Sequence, residues 1–310
     1  MTATSAATAA DDPRLDTPGV ASPSLSRGVA IMLGSGMSNQ VGAAIGAHAF
    51  ATMGPAGVVA IRQIVAAAVL LPVARPPIRR MTWPQWWPTL LLALVFAVMN
   101  LSLYTAIDRI GLGLAVTLEF LGPLGVAVAT SRSRLHVLTA IAAAGGVYLL
   151  IMPGPSSDHL GIALGLLAAA CWAAYILLNR LLGTRLPGLQ APAVATTVSA
   201  LAYLPVVLVL LGQGRLTGLP LLYAVTAGVL SSVVPYAADL TALRHVPARF
   251  FGVFMSLQPV WAALAGLLVL GQALAVNEWG GIAIIVGTNV LAASAGRRPA
   301  RTRSRAAPPA

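Results

Sequence analysis

The chain has 310 residues, 58% of them hydrophobic and only 9% charged, with a mean hydropathy of +0.85. Soluble domains carry about a quarter charged residues, so this composition excludes a soluble enzyme and points to a bundle of membrane-spanning helices. All 19 basic residues are arginine, set against 8 acidic residues for a net charge of +11, and the single cysteine, Cys171, excludes a disulfide framework or a thiolate metal cluster.

In chain order, residues 1–27 are rich in Ala, Ser, Thr and Pro and predict a disordered cytoplasmic tail. Apolar runs broken by Pro, Gly and Arg clusters then predict helices over 28–49, 55–73, 86–107, 110–129, 135–152, 160–182, 191–211, 219–243, 248–270 and 277–295. Residues 296–310 form a basic tail. Ten spans of about 20 residues leave roughly 110 residues for tails and loops, so no extramembrane domain is expected. With the N-terminus inside, every arginine except Arg62, Arg109 and Arg215 falls on an inner segment. The excess of inner positive charge predicts that both termini are cytoplasmic, and it explains the basic tail without nucleic acid. Trp83, Trp86 and Trp87, beside Arg79 and Arg80, read as an aromatic belt at the inner interface. Span one ends in Ala47-His48-Ala49 like a signal-cleavage site, but Ser35, Ser38, Asn39 and Gln40 inside it argue against that reading.

The second half repeats the first at an offset of 136. NLSLYTAIDRI at 100–110 falls on YAADLTALRHV at 236–246, Thr105 on Thr241, Ala106 on Ala242 and Pro123 on Pro259. For spans five and ten the offset grows to 141, with IAAAGGV at 141–147 over IAIIVGT at 282–288. Two five-span units, 28–152 and 160–295, contain an odd number of spans each and so enter the membrane in opposite directions. The expected fold is an all-α membrane protein of ten transmembrane helices in two inverted repeats, with a substrate site between the halves.

A charge in hydrocarbon costs at least about 2.5–3.5 kcal/mol, which makes an intramembrane ionisable residue a candidate functional or paired group. Glu119 lies midway along span four, where Gly122 and Pro123 loosen the helix, and is the first candidate for a substrate or proton site. Arg62, in span two, cannot deprotonate and needs an anion: a substrate carboxylate, or Glu119 itself when the site is empty, the alternative being that it snorkels outward to lipid headgroups. An Arg and a Glu facing one cavity would suit the two ends of a zwitterionic amino acid. Asp239, near Arg244 and Arg249 at the inner end of span eight, reads as a local gate or structural ion pair. His48 reads as an interface residue. Gln40, Asn100, Tyr104, Tyr236 and Gln258 supply neutral polar groups for substrate or for helix-to-helix bonds, with Asn100 and Tyr104 on one face. Gly42 and Gly46 read as a close-packing seam. There is no phosphate-binding loop, nucleophile elbow or cluster of metal-ligating residues in the sequence, so no enzyme activity, cofactor or metal is expected.

The runs IGLGLAVTLEFLGPL (110–124), ACWAAYILLNR (170–180) and TALRHVPARFFGVFMSLQPVWAALAG (241–266) resemble the EamA-type members of the drug/metabolite transporter superfamily, most closely the bacterial threonine and homoserine exporters. The resemblance covers roughly residues 28–295 and implies a ten-helix inner-membrane exporter with a central cavity, driven by the proton gradient. It carries over to Glu119 through the LEFLGPL motif. The family commonly has Glu before the span-nine proline and in a Gly-Glu after that span, where this chain has Gln258 and Gln272. That leaves Glu119 as the one carboxylate near the midplane. The expected function is proton-coupled export of a small hydrophilic metabolite, such as threonine or homoserine, with the lipid bilayer, protons and the substrate as partners. The alternatives are efflux of a cationic drug against an aromatic wall of Trp172, Tyr175, Phe254 and Trp261, or a scaffold without transport activity.

Overall fold

The computed structural model describes residues 23–130, 134–151, 158–235, 238 and 255–295, and among them every regular element is a helix. The helices are α1 (Pro23–Ala47), α2 (Phe50–Ala74), α3 (Trp83–Ile110), α4 (Leu112–Glu119), α5 (Leu121–Ala129), α6 (Arg134–Ile151), α7 (His159–Gly183), α8 (Gln190–Ala202), α9 (Leu204–Gly212), α10 (Gly218–Gly228), α11 (Gln258–Leu270) and α12 (Val276–Ala295). A short 3₁₀ turn, Ile78–Arg80, precedes α3, and a π-helical turn, Val229–Val233, continues α10. All-helical structure follows from the composition: in lipid a backbone polar group must be satisfied within its own segment, which a helix does.

Among the described residues, four stretches are long and apolar enough to cross a membrane: Phe50–Ala74, Trp83–Ile110, Leu112–Ala129 and His159–Gly183. A fifth counts if the bent pair Gln190–Ala202 and Leu204–Gly212 is one span. The sequence predicts one continuous helix over 191–211, but the chain turns by 41° there. Pro205 has no N–H to return to the carbonyl four residues back, so the helix opens at Tyr203. The Tyr203 hydroxyl pins the bend to α3 by donating to the Ala97 carbonyl at 2.7 Å. Span four is broken in the same way at Phe120, three residues before Pro123.

Loops are short and their ends capped. Thr82 and Gln85 form a capping box at the start of α3, and Asp158 accepts from the Gly161 N–H at 2.8 Å to cap α7. Gly111, at φ 84° and ψ 162°, makes a turn into α4 that a side chain would obstruct and brings no cap of its own. Gln272 supplies the cap from across the bundle, its Oε1 accepting from the Leu112 N–H at 2.9 Å.

The packing crosses between the two halves of the chain. α3 lies along α7 and α8, and α10 lies along α1 and α2; α4 faces α7 and α11, α1 faces α11, α2 faces α8, and α6 pairs with α12. Small residues permit the closest of these approaches. A Cβ at Gly42 would lie 2.7 Å from the Leu230 Cβ, and one at Gly46 2.8 Å from that of Ala227, so the expected close-packing seam runs against α10 and the π turn. His48 is exposed, its ring 5.5 Å from that of Tyr223.

Candidate functional site

A cavity of about 210 Å³ opens among α1, α2, α3, α4, α7, α8, α11 and the π turn. Arg62, Glu119, Gln40, Asn100, Tyr104 and Gln258 all line it, so six of the residues proposed for substrate or coupling meet at one place. The seventh, Tyr236, and the suggested gate residues Asp239, Arg244 and Arg249 lie outside the described residues.

Arg62 is held by neutral partners. Its Nη1 donates to the Asn100 Oδ1 at 2.7 Å, its Nε to the Ser232 Oγ at 3.2 Å, and its Nη2 to the Ser231 carbonyl at 3.0 Å. The guanidinium also stands over the Tyr104 ring, 5.2 Å from its centre. Asn100 is oriented for this task by the helix itself, because its Nδ2 donates to the Phe96 carbonyl at 2.8 Å and leaves the amide oxygen facing Arg62. A guanidinium has five N–H donors. Three are engaged, which leaves one on each terminal nitrogen.

Glu119, 7% exposed, sits at the last turn of α4 on the same cavity. No hydrogen bond is made to its carboxylate among the described residues, and it forms no ion pair with Arg62. The alternative in which the two charges close on each other in the empty site is therefore not the arrangement here. Arg62 and Glu119 thus line one chamber without a salt bridge between them.

Gln40 donates to the Gln258 Oε1 at 2.8 Å, a buried bond between α1 and α11. Part of the cavity wall is aromatic: Phe96 and Tyr175 line it 5.5 Å apart, and Trp172 lines it with Phe120 packed edge to face against it at 4.4 Å. Trp172 and Tyr175 of the expected aromatic wall line the cavity, whereas Trp261 packs by Gly36 and Phe254 lies outside the described residues. The Tyr104 hydroxyl, in a side chain 1% exposed, has no hydrogen-bond partner among the described residues.

Sequence reasoning missed Ser231 and Ser232. The signal available was Pro235. It has no N–H to give to Ser231, its partner four residues back, or to Leu230, its partner five back in the π register. Both freed carbonyls find other donors: Arg62 on Ser231, and the Ser38 hydroxyl on Leu230 at 2.9 Å.

Known proteins place this arrangement in context. A match to the EamA-like transporter family spans residues 159–293. The threonine/homoserine exporter RhtA of Salmonella typhimurium strain LT2 is 33% identical over 271 residues, 86% of this chain and 90% of the relative. RhtA of Escherichia coli K12 is 32% identical over 249 residues, 79% and 84% of the two chains. The uncharacterized transporter YwfM of Bacillus subtilis is 26% identical over 227 residues, 70% and 76%. A crystal structure of another protein is similar at a TM-score of 0.53 and 19% identity, covering 86% of this chain and 96% of that one, a likeness that speaks for the fold alone.

Proposed function

The chain belongs to the EamA-like transporter family, and from that premise we propose that it exports a small hydrophilic metabolite across the bacterial inner membrane. The substrate is a neutral amino acid such as threonine or homoserine, carried by proton-coupled alternating access. The observation that carries this reading is the pair of unjoined opposite charges, Arg62 and Glu119, on one cavity of about 210 Å³. Arg62 takes the substrate carboxylate with the N–H left on each terminal nitrogen, a two-point contact that does not disturb its neutral partners. Glu119 takes the ammonium group. The same carboxylate can bind a proton instead, so substrate and proton compete for one group and the gradient drives their exchange.

Three observations support the architecture this requires. The similarity to RhtA covers most of both chains. The offset repeat of 136 residues divides the chain into two units of five predicted spans. The helix contacts are preserved when the halves are interchanged: α3 on α7 corresponds to α10 on α1, α3 on α8 to α10 on α2, and α4 on α7 to α11 on α1, while α2–α8, α4–α11 and α6–α12 each map onto themselves. This exchange symmetry of the contacts supports the reading of two inverted repeats with the site between them. The cytoplasmic placement of both termini rests on the arginine distribution.

Cation efflux is the second reading, favoured by Phe96, Trp172 and Tyr175, which line the same cavity as Glu119. Cavity size weighs against it, since pockets for drug-sized ligands run to about 300–1,000 Å³. The deciding experiment is efflux of preloaded radiolabelled threonine, homoserine and unrelated amino acids from expressing cells, with and without a protonophore. Accelerated efflux of the hydroxylated amino acids, lost when the gradient collapses, is expected. Unchanged efflux of every amino acid, with resistance to cationic dyes, would establish the second reading instead.

A further inference from the structure

Arg62 is useful to a ligand only if its planar fork is aimed, and the structure shows what aims it. Two of its three hydrogen-bond partners, the Ser232 hydroxyl and the Ser231 carbonyl, belong to the π turn Val229–Val233. The turn is gripped from the opposite side by α1. There the Ser38 hydroxyl donates to the Leu230 carbonyl, and the Ser231 hydroxyl donates to the Asn39 carbonyl at 2.7 Å. Two glycines let the three elements close. A Cβ at Gly42 would stand 2.9 Å from the Ser231 N, and one at Gly228 2.7 Å from the Cβ of Val65, one turn along α2 from Arg62. The turn is thus fixed by α1 and α2 independently of Arg62, and its free carbonyl exists because Pro235 cannot donate to it.

We propose that the π turn is a preformed seat for Arg62, with Ser232 and Pro235 as positioning residues that set carboxylate specificity. The proposal rests on the reading that Arg62 binds the substrate carboxylate. Ser232 fixes the Nε–H and the Ser231 carbonyl fixes one Nη2–H, so the N–H groups left for a ligand sit on the two terminal nitrogens. Without the seat the long side chain must lose rotamer freedom when the substrate arrives, and its two-point contact weakens.

The test is transport of L-threonine in proteoliposomes of the purified protein, with 1-aminopropan-2-ol, the same skeleton without its carboxylate, as a competing ligand. Ser232→Ala and Pro235→Ala are each expected to raise KM for threonine about tenfold, the worth of one hydrogen bond to a charged group. Neither should change kcat or the inhibition constant of the amine, and Ser232→Thr, which keeps the hydroxyl, should restore the wild-type KM. Arg62→Gln separates the two levels of the argument. If it abolishes the preference for threonine over the amine while Ser232→Ala and Pro235→Ala behave as wild type, the seat is overturned and the carboxylate reading stands. If Arg62→Gln keeps the wild-type KM, or the wild type transports no threonine, the carboxylate reading fails and the seat with it. Parallel losses for threonine and the amine in the serine and proline variants would show a merely structural role and overturn the proposal.

Discussion

Glu119 and Arg62 were legible in the sequence because nothing else explains a charge in so apolar a run: the cost of burying it demands a use or a partner. The structure brings both to one cavity without joining them. What the sequence could not tell was who holds Arg62. Hydroxyls such as those of Ser231 and Ser232 commonly bond back to their own helix, as Thr105, Thr117 and Thr197 do here, so their types alone do not separate a ligand from a filler. Only the missing N–H of Pro235 marks the difference. For Glu119 the expectation is sharp. Glu119→Gln keeps shape and removes both the charge and the exchangeable proton; threonine efflux should fall by about tenfold or more and what remains should ignore a protonophore. Efflux equal to the wild type at every pH would take Glu119 out of the mechanism.

At the scale of single elements, apolar runs located helices among the described residues but did not show every break, because breaks depend on which carbonyl loses its donor. The bend before Pro205 went unread, whereas Gly122 and Pro123 already marked the loosening of span four. Span four also illustrates how closely helices are packed. A Cβ on Gly122 would overlap the Ala169 carbonyl and stand 3.2 Å from the Ala173 N, both in α7. Gly122→Ala should therefore push α5 from α7 and cost about 1–3 kcal/mol, read as a lower Tm in detergent; an unchanged Tm would mean that the two helices separate freely. The start of α7 offers a second check. The Gly161 N–H, and then the Arg109 guanidinium, hold the Asp158 carboxyl below the usual carboxylate range. A carboxylate lowered in this way adds stability above its unfolded pKa and loses it as pH falls through the folded value. Asp158→Asn keeps the cap and loses the ion pair, whereas Asp158→Ala loses both. The expected order of Tm at neutral pH is wild type, Asn, Ala, with the gap between wild type and Asn closing in acid.

For the whole molecule, the internal repeat was visible as an offset of 136 residues, yet it did not show that each half packs chiefly on the other. Pairings such as α3 on α7 depend on which small residues meet, and Gly161 is an instance, its position for a Cβ only 3.1 Å from the Cβ of Arg109. That proximity gives a test of rocking between the halves. In a Cys171→Ala background, Arg109→Cys with Gly161→Cys should form a disulfide after a shift of a few tenths of an ångström, since bridged Cβ atoms lie about 3.5–4.5 Å apart. Oxidation should stop transport and reduction restore it, with neither single variant responding. Transport that continued in the oxidised protein would mean that α3 and α7 move as one body.

The bond between Gln40 and Gln258 has a property that an acid at either position would lack. Each carboxamide carries both a donor and an acceptor. If both groups turn by half a rotation, Gln258 donates where Gln40 now does, and the bond between α1 and α11 survives with its polarity reversed. The face that this pair turns to the cavity is consequently invertible: an incoming group that gives a hydrogen bond and one that takes it can be met at the same spot, with the link across the bundle re-formed in either orientation.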